Sequence, residues 1–318
     1  MSLLPFQFIL WIAVCFFTCI AHAQVTIEHD AGTTSFASPP QRIVALTWSH
    51  TEILLTLETA PVGVATISGY RTWQSNNPPL PDGVTEVGHR GNPSLEAIAR
   101  LKPDLILGYN FRHANLYGRL SQIAPTLLYR QYPSANDTEF RYFNQLMRIT
   151  RDLGTLLNKQ ALAEQSIADM NNSIRQAKDA IANAGLAGDA VVLGKFVGMG
   201  MGLRVFSNAS LSADIAQQLG LVNRWQHALP GRDFSHIQLP QMLNLGNPHV
   251  IIFGDDSNET QLMQQSAIWP QLAFVQQNRL YRVDNSWGFG GPRSATKLAE
   301  RMRDALVQSP MAKREESL

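Results

Sequence analysis

An arginine beside a flat aromatic ring recurs along this sequence, and such a pair binds anions rather than breaking bonds. Tyr70-Arg71-Thr72-Trp73, Gly88-His89-Arg90-Gly91, Tyr109-Asn110-Phe111-Arg112 and Trp287-Gly288-Phe289, with Arg293 beyond, each fall just after an apparent strand end. Guanidinium presents a planar fork of donors to anionic oxygens. An aromatic ring adds apolar area and a face for cations. Arg204, Trp225, Arg232 and Phe234 form a second set further along. Arg90 stands out, because Gly88 and Gly91 bracket it in a turn after Val87, where backbone is exposed rather than packed. Trp73 and Trp287 sit in polar or glycine-rich segments with no periodic pattern to bury them, whereas Trp225 and Trp269 are expected to pack.

No catalytic constellation accompanies these residues. Gly198-Met199-Gly200-Met201-Gly202 is glycine-rich, but Leu203 stands where a dinucleotide fingerprint needs its third glycine, and no phosphate-loop lysine follows. Neither a G-x-S-x-G elbow nor an H-E-x-x-H helix occurs. His22, His29, His50, His89, His113, His227, His236 and His249 are never four residues apart, so neither a metal site nor a cofactor is expected. A periplasmic metal-dependent hydrolase is the distant alternative; the chain reads as a binding protein, not an enzyme.

The opening segment sets the compartment. From Leu3 to Ile20 there is no charged side chain, and Ala21-His22-Ala23 places small residues at the two positions a signal peptidase reads. Cleavage after Ala23 and export to the periplasm are expected. Cys15 and Cys19 leave with the signal peptide, so the mature chain has no thiol. The formal net charge is +1, which gives no electrostatic footprint for nucleic acid.

The binding residues need a frame, and the sequence writes that frame twice. Asn92 to Leu107 and Ile237 to Ile252 each place a short helix before a proline and a fully apolar run after it. Such a run suits a strand buried on both faces. Further strand–helix units are Arg42 to Leu46 followed by Ser49 to Leu57, with Ser49 as N-cap, and Ala190 to Leu193 followed by Leu211 to Leu219, with Gly220 closing the helix. Between the lobes, apolar residues from Phe143 to Ile181 recur at spacings of three, four and seven without a proline, with a break possible at Asn158. The expected fold is α/β: two Rossmann-like lobes bridged by a long α-helix. Residues 1–23 are the signal peptide, 24–137 the N-terminal lobe, 138–187 the linking helical segment and 188–318 the C-terminal lobe, with a charged, frayed tail.

Gln41 to Leu46, Val87 to Glu96, Leu101 to Ile106, Ser210 to Asp214 and Tyr281 to Trp287 together resemble the periplasmic ferric-siderophore binding family across the mature chain. Within it, Tyr70 to Trp73 with Pro78 to Asp82 is similar to hydroxamate-type binders, and Arg112-His113-Ala114 with Gln122 to Pro125 to citrate-type binders. The resemblance implies capture of a ferric siderophore by a monomer in the cleft between the lobes and delivery to an ABC transporter permease. It implies Arg90 on the chelate's oxygens, Tyr109 as its partner, Trp73, Trp287 and Phe289 along the walls, and Arg71 and Arg112 nearby. Few lysines and only a handful of arginines are expected around the cleft, which favours hydroxamate or citrate complexes over tris-catecholates. It also implies permease docking through Glu96 and its counterpart Gln241. A haem or cobalamin carrier of the same architecture is the alternative, with Tyr109 or His89 as the haem ligand.

Overall fold

Ile43-Val44-Ala45 and Leu105 to Tyr109 are apolar without alternation because both faces of their sheet are covered. Ile43, Ala45, Leu105 and Leu107 enter one buried cluster, Val44, Leu46 and Ile106 another, which is the two-residue period of a strand seen from both sides. The computed structural model describes residues 24–134, 137, 139–197, 202–226, 229, 231–254 and 257–308. Residues 1–23, expected as a signal peptide, the glycine-rich residues 198–201 and the charged tail lie outside these. The first sheet has five parallel strands in the order Thr85–Glu86, Gly63–Val64, Ile43–Ala45, Leu105–Tyr109, Thr126–Tyr129. The chain builds outward on one flank of Ile43–Ala45 and resumes on the other. The topological switch point therefore lies between Ile43–Ala45 and Leu105–Tyr109, and ligands of open α/β sheets sit outside the carboxyl ends there.

The second sheet runs Phe234–Gln238, Gly202–Phe206, Ala190–Val197, His249–Phe253, Leu280–Val283. Its last three strands are parallel, but Gly202–Phe206 is antiparallel to both of its neighbours. The C-terminal lobe is thus mixed, because the short connection from Ala190–Val197 to Gly202–Phe206 leaves no room for a crossover helix.

The bridge between the sheets is two helices, Tyr142–Leu156 and Gln160–Asn183, rather than one. Asn158 adopts φ 55°. The Lys159 N–H returns to the Gly154 carbonyl at 2.7 Å and the Asn158 N–H to Thr155 at 3.3 Å, a Schellman closure with asparagine in the left-handed position. A Cβ on Gly154 would stand 2.5 Å from that of Ala163, so this glycine lets the second helix start close against the first. Leu146, Ile149 and Leu153 share a single core with Met170, Ile174 and the C-terminal helix Pro292–Val307. That shared core joins the two lobes.

The repeated unit is present in both lobes, with one change of helix type. Leu95–Arg100 is an α-helix whose N-cap Ser94 accepts from the Ala97 N–H at 3.2 Å. Its counterpart Leu239–Leu245 is a 3-10 helix opened by a capping box, in which the Gln241 side chain accepts from the Gln238 N–H at 2.7 Å. Gly220, at φ 82°, closes Leu211–Gln218 as its sequence position implied. The helix Trp48–Thr56, however, takes Thr47 rather than Ser49 as N-cap.

Candidate functional site

Arg90 and Gly91 form the tip of a hairpin whose strands pair Gly88 with Pro93 and His89 with Asn92. Two contacts seat this tip on the sheet. The Arg90 N–H donates to Thr66 Oγ1 at 3.0 Å, and the Arg90 carbonyl accepts from His113 Nε2 at 2.9 Å. His113 Nδ1 accepts from the Tyr109 N–H at 3.1 Å, which leaves Nε2 as the protonated nitrogen. Burial holds His113 below the usual imidazole range, in keeping with that neutral form. Gly108 makes room for the ring, since a Cβ there would lie 2.7 Å from Nδ1.

The Arg90 guanidinium lies 3.9 Å from the Trp48 ring centre and 4.7 Å from that of Trp287. The two indoles meet edge to face at 4.6 Å. Trp48 is the first residue of its helix, at the carboxyl end of Ile43–Ala45, and its Nε1–H donates to the Thr66 carbonyl at 2.9 Å. From Trp287 a row of rings continues through Phe289 at 5.6 Å and Tyr132 at 5.2 Å to Phe111 at 4.8 Å. Phe111 is 59% exposed, an apolar ring left open to solvent at the end of that row.

The electrostatics centre on Tyr132. The charges of Arg112, Arg204 and Arg90, which come from both lobes, each pull on its hydroxyl. Burial still pushes the phenol up to about 12, so it remains a neutral donor at physiological pH. Burial, helped by the charge of Arg112, pulls Arg90 down to about 10. It stays protonated at neutral pH and has no carboxylate partner among the described residues. Arg204 stacks 4.2 Å from Phe234 and donates to His236 at 3.2 Å. The carboxylate acting on this group is Asp233, 1% exposed, with Oδ1 lacking any hydrogen-bond partner. Burial drives Asp233 up to about 7. Partly buried cations that outnumber their counter-ions form a receptor for anionic oxygens.

The structure rearranges the residues anticipated from sequence. Arg90, Arg112, Trp287 and Phe289 come together, but Tyr109 is only 2% exposed. Its hydroxyl pairs with that of Tyr142 beneath Phe289, so it supports the site from below instead of meeting a ligand. The strand explains this, because Tyr109 shares the inward parity of Leu105 and Leu107. Trp73 does not offer an open wall, since the Lys195 ammonium from the other lobe covers its face at 3.8 Å. Arg71 is exposed on the same helix and shares no hydrogen bond, ion pair or ring contact with the Arg90 group. Arg293 lines a separate groove of about 390 Å³ with Thr56, Met170 and Lys297. Trp48 and Tyr132 were not anticipated, although Trp48 sits at the switch point the strand order defines.

The family pattern of periplasmic binding proteins matches residues 43–286, a span that includes Trp48, Arg90, Tyr132, Arg204 and Asp233. The chain belongs to the periplasmic binding protein family. This periplasmic binding protein is 28% identical over 275 residues to the iron(3+)-hydroxamate-binding protein FhuD of Escherichia coli, covering 85% of this chain and 88% of that one. It is 29% identical over 283 residues to the Fe(3+) dicitrate-binding periplasmic protein FecB of the same organism, covering 84% and 85%. A siderophore binding protein FhuD from Vibrio cholerae, solved with Fe3+-Desferal, superposes with a TM-score of 0.77 at 27% identity, covering 84% of this chain and 98% of that one. Among the described residues of this periplasmic binding protein, no helix is long and apolar enough to cross a membrane, and no cluster of three or more His, Cys, Asp or Glu could hold a metal ion.

Proposed function

We propose that this protein captures a ferric siderophore in the periplasm and hands it to the permease of an ABC importer, acting by binding alone. Residues 1–23 are a leader removed after Ala23, and the mature protein works as a monomer. The observation that carries the reading is the Arg90 guanidinium seated against the Trp48 and Trp287 indoles at the switch point, with the charges of Arg112 and Arg204 acting on the neighbouring Tyr132. A siderophore already surrounds ferric iron with oxygen donors, so its receptor needs cations and rings rather than metal ligands. The same balance of charge favours carboxylate chelates over hydroxamates. Ferric citrate is anionic, whereas ferric desferrioxamine B carries a positive charge into a site that already holds three.

Tryptophan emission, quenched as ligand settles beside Trp48 and Trp287, tests this directly. Ferric citrate should bind more tightly than ferric desferrioxamine B, and haemin should give no shifted Soret band. The buried, hydrogen-bonded Tyr109 hydroxyl is unsuited to ligate haem iron. Absence of quenching by every ferric chelate, with a new Soret band from haemin, would reverse the assignment.

Docking involves the repeated helices. Glu96 is exposed in the first turn of Leu95–Arg100, free to meet a permease arginine. Gln241, its counterpart, is exposed but is a neutral amide engaged in its own helix's capping box, so the second lobe docks through a hydrogen bond or another carboxylate nearby. Glu96→Ala should lower uptake several-fold while leaving ligand affinity in solution unchanged. Parental uptake rates at matched protein level would remove Glu96 from the docking surface.

A further inference from the structure

Trp287 and Phe289 follow the last strand of the second lobe, yet their hydrogen bonds run to the first lobe and to the bridging helix. Ser49, fully buried in the helix Trp48–Thr56, is the centre of that attachment. Its hydroxyl donates to the Phe289 carbonyl, and its oxygen accepts from the Trp287 Nε1–H at 3.3 Å. The Tyr142 hydroxyl donates to the same carbonyl at 2.5 Å. One turn along the helix, the buried Glu52 carboxyl accepts from the Ser294 N–H at 3.0 Å and from the Gln74 amide at 2.8 Å.

Between these anchors the backbone lies flush on the helix. A Cβ at Gly290 would stand 2.6 Å from Glu52 Oε2, and one at Gly291 would stand 2.5 Å from Ile53. Only glycine lets the segment approach this closely. The consequence reaches Arg90. Its guanidinium rests on two indoles, and each is tethered through its ring N–H, Trp48 to the Thr66 carbonyl and Trp287 to Ser49. Ser49 also follows Trp48 directly in the helix, so one turn of backbone sets both rings.

We propose that Ser49 is a positioning residue of the binding site, holding the Trp287 indole against the Arg90 guanidinium. The wall formed by residues 284–291 is thereby fixed to the first lobe before any ligand arrives. Its effect on affinity rests on the ferric-chelate reading above; its effect on the indole does not.

The test is a double-mutant cycle of Ser49→Ala and Trp287→Phe on the full mature chain. Without ligand, Ser49→Ala should shift tryptophan emission to the red and raise its quenching by acrylamide. In the Trp287→Phe background the same substitution should change neither. Ser49→Cys keeps the volume with a weaker acceptor and should move the emission in the same direction. With ferric citrate as probe, Ser49→Ala should weaken binding about threefold to tenfold, as for one lost hydrogen bond, and the loss should vanish in the Trp287→Phe background. Equal changes in both backgrounds, or none in either, would overturn the positioning role. A parent protein that binds no ferric chelate defeats the functional reading instead, and the ligand-free quenching still decides the role of Ser49.

Discussion

Arg90→Ala is expected to weaken binding of a ferric chelate by roughly 10- to 150-fold, the equivalent of about 1.5 to 3 kcal/mol for a charge-assisted hydrogen bond. The size follows from the site's construction. Burial and the charge of Arg112 already pull the guanidinium down to about 10, and it lies against two indoles, so ligand oxygens meet a partly desolvated donor. Arg90→Lys should recover only part of the loss, because an ammonium keeps the charge but not the planar fork or the stacking. Arg71→Ala is the matched control and should bind as the parent does, since Arg71 is exposed and makes no contact with the Arg90 group. Titration of the three variants with ferric citrate checks the set. Parental affinity in Arg90→Ala would reduce Arg90 to a hairpin residue, whatever its neighbours.

The turn at Arg90 was legible because a turn announces itself locally, through the two glycines that bracket it. The frame was legible for a similar reason: apolar runs and prolines record burial one element at a time. Tyr109 was misread as a ligand contact although the information was present, since counting by twos from Leu105 places it inside. The remaining differences come from contacts distant in sequence. Nothing near Trp73 announces that Lys195 will cover it, and nothing near Tyr132 announces the charges of arginines from a hairpin turn, a short helix and a strand of the other lobe. The break at Asn158 falls between, because asparagine tolerates the left-handed conformation without requiring it. Ser49 reads as an N-cap by residue type, and its actual use, on the Trp287 and Phe289 segment, exists only once the lobes are assembled.

Asp233→Asn should stabilise the fold at pH 8 and leave it nearly unchanged at pH 4. Asp233 is 1% exposed with one carboxylate oxygen unpartnered, and burial raises it from 3.8 to about 7 against the pull of Arg204. Between those values the folded chain keeps the proton and the unfolded chain has lost it. Stability from this group is therefore complete below about pH 4 and falls as pH rises through 7, by about 4 kcal/mol at 1.36 kcal/mol per pH unit. An amide carries no charge at either end of the range, so the substitution removes that slope. Asp214, also raised by burial to about 7, adds a second slope of the same sign. His50 opposes both: burial lowers it to about 3, so its contribution holds above about pH 6.5 and is lost as pH falls toward 3. For Asp233 itself, pH 8 is the condition at which its substitution shows most. Urea unfolding at pH 4, 6 and 8 should show Asp233→Asn ahead of the parent by about 2 to 4 kcal/mol at pH 8, with the gap closing toward pH 4. A gap independent of pH would mean that the carboxyl is already neutral, or paired, throughout the range.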